Sequence, residues 1–346
     1  MSVLVTGGSG FLGSHLVRLL LEEGQEVRVL VRPTSPPDNL TGLDVVCMPG
    51  DLREASSLER AVRGCQQVYH CAADYRLWTP DPQELYRVNV DGTENLLKAC
   101  REEGVERVVV TSSVAAVGIP EDGSPGNEDT PVCLKDMIGH YKRSKFLAEE
   151  VAMRFAAEGD PVVVVNPSTP VGPGDLKPTA TGRIITDFLN GKMPAYVQTG
   201  LNLVPIEDVA RGHLLAARRG SPGRRYILGG EDMTLKEILD TLAEITGLPA
   251  PGVEIPLWLA SCIAHVDNFL EAGLLRREPR VPLEGVRMAC KRMWFDWSRA
   301  RSELGYAPGP VRPALERAVR WFVDHGHAPV PPRLRPVRGL PGGVAR

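Results

Sequence analysis

Short apolar runs alternate with longer amphipathic ones through the first half of the chain. Val3–Val5 precedes Leu12–Glu23, Val27–Val31 precedes Leu58–Val62, Gln67–His70 precedes Leu85–Glu102, and Arg107–Val110 precedes Tyr141–Ala157. Brief β-branched runs suit strands buried on both faces, whereas the longer segments repeat at the helical period. The alternation predicts a parallel sheet covered by helices on both sides. Pro161–Val165 adds a further strand, and Gly24 and Gly104 stand where helices should stop.

Beyond Pro167 the pattern is less regular and richer in proline and glycine. Arg224–Leu228 still reads as a strand. Thr234–Thr246 reads as a helix, opened by a Thr234/Glu237 capping box and closed by Gly247. Further helices are expected over Leu257–Leu270 and Pro313–Val323. From His327 onward prolines, glycines and arginines follow one another without periodicity, which predicts a disordered tail over 327–346.

Composition narrows the partners. With 346 residues, 43% hydrophobic, the chain can bury a full core, and a net charge of −3 offers no broad attraction to nucleic acid or anionic lipid. A small-molecule partner is expected. The N-terminus enters its first strand without a charged leader, which predicts a cytoplasmic protein. No apolar stretch reaches the roughly 20 residues of a membrane span; the best, Leu257–Ile263, is soon broken by His265 and Asp267. The seven cysteines are scattered, with no Cys-x-x-Cys, and His325-x-His327 lacks further ligands, so reduced thiols and no metal site are expected.

The first strand runs into Thr6-Gly7-Gly8-Ser9-Gly10-Phe11-Leu12-Gly13 and then a helix. Gly7 permits the sharp exit, Gly10 lets backbone approach a pyrophosphate, and Gly13 lets the helix pack close. The first helical N–H groups, from Ser9, Phe11 and Leu12 onward, then face the phosphates. A glycine-rich turn alone is often only a loop; its place at the first strand-to-helix junction makes it a dinucleotide site. Strand Val27–Val31 ends at Arg32, which suits a ribose 2′-phosphate and therefore NADP(H) over NAD(H). The plainer reading of Arg32 is an exposed loop arginine.

Tyr141 and Lys145 are four apart and share one helix face. An ammonium near the phenol would lower its pKa toward working pH. Ser113, at the end of the neighbouring strand, could hydrogen-bond a reacting oxygen while Tyr141 exchanges the proton and hydride passes to or from a nicotinamide. Tyr-x-x-x-Lys is common on helix surfaces. Its weight comes from the glycine turn and the strand-end Ser112-Ser113.

Together these residues resemble an extended short-chain dehydrogenase/reductase over residues 1–325. The resemblance implies a Rossmann-like, doubly wound α/β parallel sheet over 1–166, to which later segments return, and a smaller, mainly substrate-binding region over 167–326. It further implies an adenine contact at Asp51-Leu52, a cofactor loop at Cys71-Ala72-Ala73 after His70, the helix asparagine Asn89, and a nicotinamide contact at Asn166-Pro167-Ser168. Ser113 rather than Ser112 is then the catalytic serine.

More narrowly, Asp74-Tyr75-Arg76-Leu77-Trp78, Ile138–Lys145 and Phe188–Lys192 resemble the dihydroflavonol-reductase-like branch and the hopanoid-associated sugar epimerases. Three functions stay open: an NAD(P)-dependent oxidoreductase or epimerase acting on a sugar-like or carbonyl substrate linked to hopanoid lipid metabolism, an NADPH-dependent ketone or aldehyde reductase of dihydroflavonol-reductase type, and a non-catalytic NADP-binding regulator, against which the presence of Tyr141 and Lys145 speaks. Nucleotide-sugar epimerases often carry an arginine that holds the diphosphate, where this chain has Leu201-Asn202-Leu203-Val204-Pro205-Ile206. Tyr75, Trp78 and Arg183 are candidate substrate contacts, with ordinary loop packing as the alternative for the aromatics. By the same resemblance, helices Leu85–Glu102 and Lys145–Ala157 would pair two copies in a homodimer.

Overall fold

The computed structural model describes residues 1–34, 38–274, 277, 279 and 283–334. The first half forms β1 (Ser2–Thr6), α1 (Phe11–Glu22), β2 (Glu26–Val31), β3 (Val46–Pro49), α2 (Ala55–Val62), β4 (Gln67–His70), α3 (Gln83–Tyr86), α4 (Gly92–Glu103), β5 (Arg107–Thr111), α5 (Gly139–Ala157) and β6 (Val162–Pro167). The second half forms β7 (Thr169–Val171), α6 (Ala180–Leu189), β8 (Ala195–Tyr196), β9 (Gly200–Pro205), α7 (Ile206–Arg219), β10 (Arg225–Leu228), β11 (Glu231–Thr234), α8 (Leu235–Thr246), β12 (Val253–Glu254), α9 (Leu257–Asp267), α10 (Leu283–Ala289) and α11 (Val311–Asp324).

Seven strands pair in the order β3-β2-β1-β4-β5-β6-β10, every pairing parallel. The winding reverses between β1 and β4, and a crevice opens at the carboxyl ends of strands on either side of such a switch point. The valine-rich strands supply both layers of core by simple alternation. Val3, Val5, Val163 and Val165 face α1 and α7, whereas Leu4, Val162 and Val164 face α2, α4 and α5. A separate core joins α6, α8 and α11 to β7 and β9, where β9 pairs parallel with β7 and antiparallel with β11.

Several expected elements differ in detail. The helix expected over Leu85–Glu102 is interrupted by a π turn at Arg87–Asp91, and that over Leu257–Leu270 becomes a π turn from Asn268. Strand β3 escapes the hydrophobic pattern because it is an edge strand with Val46 and Cys47 exposed. The tail expected from His327 starts in packed structure. Asn190 Nδ2 donates to the His327 carbonyl at 3.0 Å, the His327 ring stacks on Trp321, and Leu334 packs against the second core. Residues 335–346 of that expectation lie outside the described residues.

Candidate active site

The glycine turn is shaped by close approach. Gly7 has φ +70°, and a Cβ there would stand 2.7 Å from the Ala72 nitrogen; a Cβ on Gly13 would stand 2.2 Å from the Gly7 carbonyl oxygen. Gly10 precedes α1 without any side-chain cap, so the first helical N–H groups are left for an anionic ligand. Asn39 fastens the turn from outside, its Nδ2 donating to the Ser9 carbonyl at 3.2 Å and the Gly174 carbonyl at 3.1 Å.

Arg32 lies exposed just past β2. Asp51 is held below the usual carboxylate range, chiefly by its hydrogen bonds with Arg53 and in small part by the charge of Arg32. Leu52 is buried beside it, and Ala72 packs against the core beneath α4.

A hydrogen-bonded chain ties this end of the crevice to α5. Thr6 Oγ1 meets His70 Nδ1 at 2.8 Å, His70 Nε2 meets Thr93 Oγ1 at 2.9 Å, and Thr93 Oγ1 donates to the Asn89 carbonyl at 2.6 Å. Since Thr93 spends its proton on that carbonyl, His70 donates from Nε2 and accepts at Nδ1. Burial holds the imidazole down to about 3, so it is neutral. Asn89 Nδ2 in turn donates to Ser144 Oγ at 2.9 Å, and Ser144 Oγ donates to the Tyr141 carbonyl at 2.8 Å.

Ser113, Tyr141 and Lys145 come together at the carboxyl end of β5. Ser113 opens a short turn there, its Oγ accepting from the Ala115 N–H at 3.1 Å, and its hydroxyl is hydrogen-bonded to the Tyr141 phenol. Lys145 Nζ donates to the Thr111 carbonyl at 2.7 Å. Burial pulls this ammonium down to about 8, against the opposing charge of Glu149. The expected lowering of the phenol by Lys145 is not found. Burial raises Tyr141 above its ordinary value, and the hydrogen bond from Ser113 only partly opposes it. Cys71 joins the two halves, receiving a hydrogen bond from Thr111 Oγ1 at 3.4 Å, with its thiol pushed up to about 11 by burial.

Behind Lys145 on the same helix face lies Glu149, 5% exposed. One carboxylate oxygen accepts from Asn166 Nδ2 at 2.7 Å and the other from Arg225 at 2.8 Å. Arg225 continues to the Glu128 carbonyl, so α5, β6 and β10 are clamped by one polar cluster. Pro167 is buried at the end of β6, paired in register with Leu228. Ser112 Oγ, Asn166 Oδ1 and Ser168 Oγ are buried without a hydrogen-bond partner. These orphaned polar atoms at the ends of β5 and β6, with the glycine cradle at β1, fit a nicotinamide dinucleotide lying across the switch point.

Of the candidate substrate contacts, Tyr75 and Arg183 are exposed and Trp78 is half-buried. Tyr75 Oη donates to the Lys177 carbonyl at 3.4 Å. The charge of Asp175, which sequence reasoning missed, is felt at Tyr75, and that of Arg183 at Asp175. Its carboxylate is 3% exposed, caps the segment before α6 through the Thr179 N–H at 2.9 Å, and is pushed up to about 6 by burial. Its only signal in sequence is the Gly172-Pro173-Gly174-Asp175 run. Where nucleotide-sugar epimerases often carry a diphosphate-binding arginine, β9 is a buried strand, with Asn202 Nδ2 donating to Asp232 at 2.7 Å.

Fold and site together define a nicotinamide-cofactor enzyme built on a Rossmann sheet, of the extended short-chain dehydrogenase/reductase type. A profile of the NAD dependent epimerase/dehydratase family matches residues 3–229, and the chain belongs to that family. It is 49% identical over 327 residues to a putative dihydroflavonol 4-reductase of Synechocystis sp., covering 93% of this chain and 95% of that one. It is 41% identical over 327 residues to sterol demethylase protein B of Methylococcus capsulatus, covering 94% and 99%. The solved structure of a nucleoside-diphosphate-sugar epimerase from Pseudomonas aeruginosa superposes with a TM-score of 0.80 at 28% identity, covering 95% and 99%.

Proposed function

We propose that this enzyme interconverts a ketone and a secondary alcohol on an apolar ring or isoprenoid substrate, with Tyr141 as the proton donor and acceptor and NADP(H) as the preferred cofactor. The observation that carries the reading is the meeting of Ser113, Tyr141 and Lys145 beside orphaned polar atoms at the carboxyl ends of β5 and β6. When bound, the nicotinamide supplies the hydride for reduction and accepts one in oxidation. Ser113 holds the substrate oxygen and Tyr141 Oη delivers a proton to it as the carbonyl becomes an alcohol. The Lys145 ammonium, one helical turn away, would be held at this end of the crevice by the Thr111 carbonyl.

Gly7, Ser9, Gly10, Phe11, Leu12 and Gly13 would hold the pyrophosphate, Asp51 and Leu52 the adenine end, Arg32 a 2′-phosphate, and Cys71, Ala72, Ala73 and Pro167 the nicotinamide end. Tyr75, Trp78 and Arg183 would line the substrate entrance. The apolar, buried β9 disfavours a diphosphate-linked sugar, and a relative named for sterol demethylation favours a polycyclic lipid, of which a hopanoid is one instance. The second reading, epimerisation of a sugar, is favoured by the likeness to the Pseudomonas aeruginosa epimerase. We further propose a homodimer through the outer faces of α4 and α5; light scattering that finds only monomer at working concentration would reject it.

The cofactor assignment is tested by identifying any nucleotide carried by the purified protein and then titrating NADPH and NADH. We expect a protein that exchanges its cofactor and binds NADPH at least tenfold tighter, a preference that Arg32→Asp reverses. Tightly retained NAD(H) would instead support the epimerase.

A further inference from the structure

Helix α9 is apolar around nearly its whole circumference, yet only Ala260 and Ala264 are buried. A helix of that kind is normally enclosed. Here the large side chains of the helix and of the π turn that follows it point outward: Trp258 is 67% exposed, Val266 60% and Phe269 66%, with Ile263 and Leu270 at 46% each. Trp258, Cys262, Val266 and Phe269 succeed one another at close to helical spacing, so they form a stripe, flanked by Ile263 and Leu270. Among the described residues, the other exposed large apolar side chains are scattered along the chain.

The chain that follows is basic. Among its described residues up to 292 it holds Arg277, Arg287, Lys291 and Arg292 against Glu284. Arg277, Arg287, Lys291 and Arg292 are exposed. This surface also borders the crevice. Helix α10 packs on α9, and its Glu284 lies against Gly139 and accepts from the His140 N–H, in the first turn of α5 that carries Tyr141.

We propose that the α9 stripe, together with the exposed Arg277, Arg287, Lys291 and Arg292, docks this protein on an anionic membrane surface, with the crevice mouth beside the lipid. Apolar side chains would enter the boundary between headgroups and acyl chains while the arginines and lysine meet lipid phosphates. A second copy of the chain fits the surface less well. A two-fold interface sets the same patch against itself, so these four basic side chains would face their own copies, whereas a bilayer supplies the opposite charge.

The test is flotation of the full-length protein with vesicles of phosphatidylcholine, alone or with about a third phosphatidylglycerol. The expected result is binding to the anionic vesicles, at least tenfold weaker binding to the neutral ones, and at least tenfold loss in Trp258→Glu/Phe269→Glu, whose melting temperature matches the wild type. A second variant, Arg287→Gln/Lys291→Gln/Arg292→Gln, keeps the stripe and should lose the preference for anionic lipid. Two results would overturn the proposal: no flotation of the wild type with anionic vesicles, or a dimer that Trp258→Glu/Phe269→Glu converts to monomer, which would assign the stripe to a second copy.

Discussion

Burial governs the protonation of the residues around the crevice. Tyr141 is held protonated past its ordinary range, while Lys145 sits at about 8. Tyr141→Phe is therefore expected to lower turnover by roughly a thousandfold with cofactor binding unchanged, checked by steady-state rates beside a nucleotide titration. Under the proposed mechanism Tyr141 stays protonated in the reducing direction as pH rises, and Lys145 is the group that loses its charge. The rate should fall as pH passes about 8, and Lys145→Arg should push that descending limb to higher pH even if it is slower overall; a limb that stays in place would assign it to another group.

Asp175 makes a separate prediction. Its carboxyl is raised from 3.8 to about 6, so between those values the folded protein holds a proton that the unfolded chain has lost. That contribution stabilises the fold below about pH 4 and disappears as pH climbs through 6, a difference of about 3 kcal/mol. Urea midpoints at pH 4 and pH 7 should converge in Asp175→Asn relative to the wild type. Equal pH dependence in both proteins would show that the buried carboxyl carries no such linkage. The spacing of Tyr141 and Lys145 was legible in the sequence, but the sign of the phenol's shift was not, because it depends on how deeply the ring is enclosed.

At the scale of elements, the clamp between α5 and β10 ties the helix that carries Tyr141 and Lys145 to the sheet. Removing Arg225 leaves Glu149 as a buried, half-paired carboxylate, and breaking such a pair costs roughly 3–5 kcal/mol. Arg225→Met should show a loss of that size by urea unfolding; a loss below about 1 kcal/mol would mean that water or rearrangement replaces the pair. The alternation of β1 through β6 with their helices could be read directly, because fully buried strands leave uninterrupted valine runs. Helix α7 was not singled out, although Ile206, Val209, Ala210, His213 and Leu214 repeat at its period; it lies in the half where prolines and glycines obscure the pattern. The π turn at Arg87–Asp91 leaves no mark in the hydrophobic pattern at all.

Over the whole molecule, the N-terminal sheet carries the glycine turn, and under the proposed function specificity would fall to the less regular half around Asp175, β9 and α9. Tyr75 and Arg183 were singled out from sequence, but Asp175, which interacts electrostatically with both, comes from a loop with no periodicity to betray it. Hydride transfer to an apolar ketone is tested by following deuterium from 4-deuterated NADPH into products by mass spectrometry, with a 3-ketosteroid and a nucleotide sugar offered in parallel. One deuterium is expected at the new carbinol carbon of the steroid and none in the sugar. Epimerisation of the sugar, with NAD retained by the protein and the steroid untouched, would contradict it.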